Sequence, residues 1–515
     1  MFSKTFAAID VGSFELSLKI YEVSKKNGMR QIDHVRHNID MGTEIYSNGI
    51  LSFERVEDLC KTLKEFKKIM NSYKVEAYQA YGTSAIREAK NMDILLDQIE
   101  QKSGVHIDVL SNSEQRFLDY KSIAFQGEKF EKFIGQGTAI LDIGGGSIQM
   151  SLFDEHSLIS TQNMKLGVLR LRDNMKTLNA SLRQYDHFVE ELAESQLTTY
   201  KKFYLMNKSI ENLIVVDDYF SSILNNKNSS GYSETSTAKY ADIDEYIELI
   251  SSDSQEAVAK FFSISEDDIA LLYISLLLIQ KVMSTTGAKT AWAPGVTLCD
   301  GIAYEYAEKG ELVKANHNFE DDIVACSKEI SKRYMGSNER SETLEQIALN
   351  IFDTMSGISG LEKRDRMLLR ISAILHDCGK YVSMLNLADC SYNIIKNTEI
   401  IGLSHKERLI VANTVKYNQT VFNYYDEQNT TEGLDRMDYK RIAKLTAMLR
   451  LANGLDRSHK MKFKDVHTAI EGGKLMITIE TDEDISLEKG LFGRRANFFE
   501  EVYNLKPVIH QKRGF

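Results

Sequence analysis

The sequence predicts an α/β protein: two similar α/β subdomains facing one another across a cleft, then a separate all-α domain and a small C-terminal α+β segment. Three observations predict it. Residues 5–23 (TFAAIDVGSFELSLKIYEV) and 138–153 (TAILDIGGGSIQMSLF) share one pattern, an apolar run, an aspartate, a glycine turn and an alternating apolar run. Alternation about such a turn signals a β-hairpin, and its recurrence signals a duplicated unit. Helical periodicity at 53–72 and 184–206 alternates with strand-like runs such as 213–216, as an α/β fold requires. From about residue 313 the strand signal fades, and 318–460 reads as helices. The chain turns β-like again at KLMITIETDE (474–483) and adds a short helix in NFFEEVYNL. The expected divisions are 1–130, 131–312, 313–460 and 461–515, with NNKNSSGYSETST (225–237) as a surface loop.

Length and composition agree. At roughly 100–200 residues per domain, 515 residues make three or four domains. Apolar content of 43% and charged content of 27% are ordinary globular values and exclude wholesale disorder. The apolar run 269–279 is short of the ~20 residues that cross a bilayer, so it predicts a buried core helix rather than a membrane segment. The N-terminus lacks the apolar core of a signal peptide. Five cysteines without CxxC spacing read as reduced thiols in a cytoplasmic protein. With 63 basic against 74 acidic residues the net charge is −11, which argues against a nucleic-acid coat protein.

The chemistry lies in the two glycine turns. Successive backbone N–H groups around a glycine turn converge on one point and can hold phosphate oxygens. Either loop alone is no more than a tight turn. Two of matching form predict a paired phosphate clamp, with Gly12 and Ser13 from one subdomain and Gly144, Gly145, Gly146 and Ser147 from the other. Asp10 and Asp142, at the strand ends, suit Mg²⁺, which takes one or two carboxylates plus substrate phosphates.

In order along the chain, DVGS, GTSAIREAKN (82–91), SEQR, DIGGGS and LGVLRL (166–171) resemble the motifs of the exopolyphosphatase and guanosine pentaphosphate phosphohydrolase family. LHDCGK (375–380) and LRLANGLDRSHK (449–460) are similar to its C-terminal region. The resemblance implies an actin-like (ribonuclease H-like) duplicated domain followed by an HD-type helical domain. It places the family's catalytic glutamate at or beside Glu114, to orient and deprotonate the attacking water. It gives Arg87 to a substrate phosphate through its planar fork, and Mg²⁺ to Asp142 with Asp10 and Gln149 nearby. It implies inorganic polyphosphate or guanosine penta- or tetraphosphate as ligand, and a homodimer.

The chain departs from that pattern at several positions. Phe14 and Ser17 stand for the usual asparagine and arginine of the first loop, and Gln149 stands for a carboxylate of the second. Two adjacent glutamates of the family read Glu114-Gln115 here. Asp217 and Asp218 replace a glycine pair, and Cys299 an arginine. In the HD-type region His376 and Asp377 are present. The first histidine is missing from 340–343, and the distal aspartate is Asn453, so a hydrogen-bonded core pair is expected rather than a metal centre.

Residues 440–464 hold Lys440, Arg441, Lys444, Arg450, Arg457, Lys460, Lys462 and Lys464 against Asp456 alone. Such a concentration is either a track for a polyanion or a solvated basic face. Hydrolysis of a terminal phosphoanhydride is the leading expectation. A catalytically weak or inactive relative that senses these polyanions is the first alternative. An actin-like sugar or acid kinase is the third, and Asp217 and Asp218 in place of glycines count against it.

Overall fold

The computed structural model describes residues 3–206, 208–225, 236–314, 317–426, 433–463 and 466–512. The chain forms two compact units, 1–319 and 320–515.

In the first unit, β1 (Lys4–Val11), β2 (Glu15–Ser24), β3 (Gly28–Asn38), β4 (Ala77–Gly82) and β5 (Asp108–Val109) form a sheet of order β3-β2-β1-β4-β5. Next in the chain come β6 (Thr138–Ile143), β7 (Ile148–Asp154), β8 (Ser157–Met164), β9 (Asn212–Val216), β10 (Thr237–Lys239) and β11 (Thr290–Trp292). Their sheet has the order β10-β11-β9-β6-β7-β8. The two sheets repeat one design. In each, an antiparallel meander of three strands is joined through its first strand to a parallel fourth, β1 to β4 and β6 to β9. The register repeats too, for Asp10 lies opposite Ser17 and Asp142 opposite Gln149. This is the duplication that the repeated hairpin predicts, in the actin-like form that the family resemblance implies.

Helices cover the sheets for simple reasons. Phe53–Ser72 starts where the Ser52 hydroxyl accepts the Arg55 N–H at 3.4 Å, and it buries Val56, Leu59, Cys60, Leu63, Phe66 and Met70 at helical spacing. The apolar run 269–279 forms the core of the helix Ile269–Thr286. The segment Glu266–Thr286 is long and apolar enough to cross a membrane, but 72% of its most apolar 18-residue stretch is buried inside the fold. Helical periodicity at 184–206 yields Tyr185–Tyr200 plus one π-helical turn, Lys201–Leu205. None of the five cysteines is in a disulfide.

The second unit is helical from Phe319–Arg333 to Arg436–Leu455, with a three-stranded sheet of β12 (Val466–Glu471), β13 (Lys474–Glu480) and β14 (Lys506–Lys512). The short helix expected in NFFEEVYNL is the end of a longer one, Ser486–Tyr503. Gly490 and Gly493 weaken the local helix signal, and burial of Phe492, Ala496, Phe498 and Phe499 outweighs it. Most of the expected loop 225–237 lies outside the described residues.

Candidate active site

A cleft of about 440 Å³ opens in the first unit where the two hairpin turns meet. Gly12, Ser13 and the run Gly144, Gly145, Gly146 and Ser147 all line it. A Cβ on Gly145 would lie 3.2 Å from the Ser13 Cβ, so the two loops are in contact.

Each turn is closed by one bond, Gly12 N–H to Glu15 O at 3.0 Å and Gly144 N–H to Ser147 O at 2.9 Å. The second loop is pinned by the segment that follows β8. Gly144 O accepts the Val168 N–H at 3.1 Å, Gly145 O accepts Leu169 and Arg170 N–H at 3.0 and 3.2 Å, and Gly146 O accepts Arg170 Nε at 3.0 Å. In a trans peptide the C=O and the next N–H point opposite ways. With these carbonyls turned onto the helix Val168–Thr177, the N–H groups of Gly145, Gly146 and Ser147 point away from it, free for a ligand. This explains LGVLRL chemically. Gly167 has no room for a Cβ, which would fall 2.3 Å from Gly145 O and Ser147 N. The first loop is held in the same manner, with Ser13 O accepting Met41 and Gly42 N–H at 2.9 and 2.8 Å.

Sequence reasoning missed Ser84, Arg116 and Asp119 in the cleft. Ser84 forms a triangle of hydroxyls 2.8 Å apart on each side with the expected Ser13 and with Tyr46 behind them. Arg116 and Asp119 line the cleft one helical turn apart, both buried. Ser84 and Arg116 lie within GTSAIREAKN and SEQR, the motifs that also hold Arg87 and Glu114, so the motifs contained the signal.

Glu114 does not line the cleft. Its carboxylate accepts the Ser111 N–H at 3.0 Å, while the Ser111 hydroxyl accepts the Glu114 N–H at 3.3 Å. That is a capping box at the start of the helix Asn112–Ala124. The cleft residue is its neighbour, Gln115. Glu114→Ala is therefore expected to lower stability by about 1 kcal/mol, the cost of a lost cap, and to leave phosphate release unchanged. Thermal unfolding and a phosphate assay check this, and a large loss of release at unchanged stability would contradict it. Arg87 lines the cleft, with its fork on Leu110 O at 2.5 Å and on Asn112 Oδ1.

The cleft is acidic, with seven lining carboxylates against three arginines. Burial, with Asp218 and Glu15 beside it, raises the Asp10 carboxyl to about 8. Burial raises Glu15 to about 7 despite Arg36 at 3.5 Å. Asp217 accepts the Phe220 N–H at 2.6 Å and the Ser275 hydroxyl at 3.0 Å, and burial raises it to about 7. Folded Asp217 thus keeps its proton up to about pH 7 while the unfolded chain releases it near pH 4. Its contribution to stability is full below the unfolded value and is lost as pH rises through the folded one. Asp217→Asn is expected to flatten the fall in melting temperature from about pH 4 to pH 7, and an unchanged slope would contradict the assignment.

Among the described residues, buried Asp10 Oδ1 and Asp142 Oδ2 of the cleft have no hydrogen-bond partner, nor has Gln149 Oε1, which lies opposite Asp142 in the strand register but outside the cleft lining. Buried carboxylate and amide oxygens left unpaired are costly, and a cation satisfies them. Among the described residues no three His, Cys, Asp or Glu side chains form a ligand cluster, but Mg²⁺ needs only one or two carboxylates beside phosphates and water. A magnesium ion fits this donor set. The other oxygen of Asp142 pairs with Arg116.

In the second unit, the HD-type residues converge on an arginine. Arg340 donates to His376 Nε2 at 2.9 Å, Asn453 Oδ1 at 2.8 Å and Asp456 Oδ2 at 3.1 Å, and lies 3.8 Å from Asp377. His376 Nδ1 bonds Ala373 O at 2.8 Å, which fixes it as the donor nitrogen and leaves Nε2 to accept. Burial, opposed by Asp377 and reinforced by Arg340, lowers the imidazole to about 4, so it is neutral. His376 and Asp377 are joined through the guanidinium rather than as an isolated pair.

The basic stretch is divided. Arg441 is bonded to Asp365, Lys444 to Ser359 O, Arg450 to Tyr417 O and Thr420 O over the Phe498 ring, and Lys462 to Glu488. Lys440, Arg457 and Lys460 are exposed, and Lys464 lies outside the described residues. Half of the expected track thus tethers its own unit.

A duplicated α/β fold with two matching glycine turns at an acid-lined cleft places the first unit in the actin-like class. The chain belongs to the Ppx/GppA phosphatase family, whose family profile matches residues 20–309, with its domain III matching 325–492. It is 20% identical over 490 residues to a guanosine-5'-triphosphate,3'-diphosphate pyrophosphatase of Vibrio vulnificus, covering 93% of this chain and 92% of that protein. It is 28% identical over 164 residues to exopolyphosphatase 1 of Mycobacterium leprae, covering 32% and 47%. Against a bifunctional 3-dehydroquinate synthase/phosphatase of Fusobacterium nucleatum identity is 25% over 185 residues, 35% of this chain and 27% of that protein. The solved Ppx/GppA family member of Aquifex aeolicus superposes with a TM-score of 0.50 at 19% identity, covering 62% of this chain and all of that one, and so shares its fold.

Proposed function

We propose that this chain is a cytoplasmic, Mg²⁺-dependent phosphohydrolase that releases terminal phosphate from inorganic polyphosphate or guanosine pentaphosphate, with a slow chemical step. The observation that carries the reading is the contact of two matching glycine turns, Gly12–Ser13 and Gly144–Ser147, beside three unpartnered buried oxygens. Backbone N–H groups of both loops hold the oxygens of the last phosphates, and Ser13 adds a hydroxyl. Asp10, Asp142 and Gln149 hold the ion, which when bound neutralises charge on the transferring phosphoryl group. The protein's main work is to place a water in line with the terminal phosphorus. Water's oxygen bonds phosphorus, the bridging P–O bond breaks with its electron pair on the leaving chain, and the proton passes to a phosphate oxygen. Gln115 can orient that water but cannot take its proton.

The same amide favours the second reading, a sensor that binds these polyanions without turnover. Phosphate release from long-chain polyphosphate with Mg²⁺, for wild type and Asp10→Asn, separates the two. Release lost in the variant supports the hydrolase, and binding without release supports the sensor. Neither binding nor release would sink both.

A further inference from the structure

We infer that Arg116 is a phosphate-binding residue, a built-in cation on the second glycine loop that holds the ligand's phosphate chain without a divalent ion. The inference rests on the proposal that this cleft binds phosphate chains. Of the three arginines lining the cleft, Arg36 is paired with Glu15 and Arg87 is spent on Leu110 O and Asn112. Arg116 differs from both. Its guanidinium lies against the turn, with Nη2 3.0 Å from the place a Cβ of residue 144 would take, so glycine there gives it room. Nη1 pairs with Asp142 and lies 3.8 Å from Asp119 Oδ2, Nη2 reaches Ser147 O only at 3.5 Å, and among the described residues Nε has no hydrogen-bond partner.

A guanidinium offers five N–H donors in a planar fork and stays charged at every working pH. Here Asp142 fixes its position and several donors remain over the loop whose own N–H groups are free. Phosphate oxygens entering the turn therefore meet backbone and guanidinium donors together. In a cleft this acidic, a fixed cation at the loop also offsets the repulsion that a polyanion meets on entry.

Calorimetric titration of tripolyphosphate into the full chain tests this, in EDTA and again in Mg²⁺. Arg116→Met is compared with Arg116→Met/Asp142→Asn, which neutralises the paired acid as well and so avoids a stranded buried charge. Wild type is expected to bind in EDTA, and both variants to bind about tenfold to a hundredfold more weakly, the fold-change of a lost charge-assisted hydrogen bond. Arg116→Lys, which keeps charge without the fork, is expected to fall between. If the single variant does not fold, the double variant decides. Equal binding by wild type and the double variant in EDTA would overturn the inference. So would wild-type binding that needs Mg²⁺, although the cleft would then still be a phosphate site. No binding under either condition would overturn both.

Discussion

Replacing Gln115 by glutamate is expected to raise Mg²⁺-dependent phosphate release from polyphosphate by about 10²- to 10⁴-fold, the range a positioned general base supplies. Glu114 is turned onto the Ser111 amide as a cap, and Gln115 lines the cleft beside Arg116. The amide is nearly the shape of the acid but has no basicity. The substitution therefore adds a proton acceptor with little change in packing. Colorimetric phosphate release from both proteins at equal concentration reads the effect. An unchanged rate would mean that water activation is not what limits turnover.

Arg340→Ala is expected to destabilise the second unit by about 3–5 kcal/mol, the usual cost of stranding a buried charge. Arg340, Asp377 and Asp456 are almost fully buried, and the guanidinium is also the partner of the neutral His376 and of Asn453. Removing it leaves two carboxylates, an imidazole nitrogen and an amide oxygen facing one void. Calorimetry should show the transition of 320–515 moving down by many degrees while that of 1–319 stays in place. A shift too small to measure would contradict the view that this arginine holds the HD-type residues together.

The duplicated hairpins were legible because strand alternation and glycine turns are local signals, and Asp10 and Asp142 fall at matching strand ends. The capping box was legible as well. Ser111 and Glu114 have the Ser-x-x-Glu spacing that marks a helix start, and that spacing was outweighed by the family motif around it. Other features depend on contacts far apart in sequence. Nothing local shows that Arg340 meets Asn453 and Asp456, or that Arg116 pairs with Asp142. The basic stretch misled in the same way, because composition cannot distinguish an exposed Lys460 from an Arg441 committed to Asp365. Sequence reveals which residues could carry charge chemistry. Burial and partners decide which of them are left to do it.

Both units place an arginine among acids where a bound cation would otherwise be expected, Arg116 with Asp142 and Arg340 with Asp456. Among the described residues Asp377 Oδ1 in the second unit remains without a hydrogen-bond partner, and in the first so do Asp142 Oδ2, Asp10 Oδ1 and Gln149 Oε1, where the proposed ion and phosphate chain would bind. The most direct measurement is a crystal structure of the chain with tripolyphosphate and Mg²⁺. The account predicts a terminal phosphate held between Gly12–Ser13 and Gly144–Ser147, with Arg116 in hydrogen-bond reach. A phosphate chain bound elsewhere, leaving the two glycine turns without it, would contradict the account.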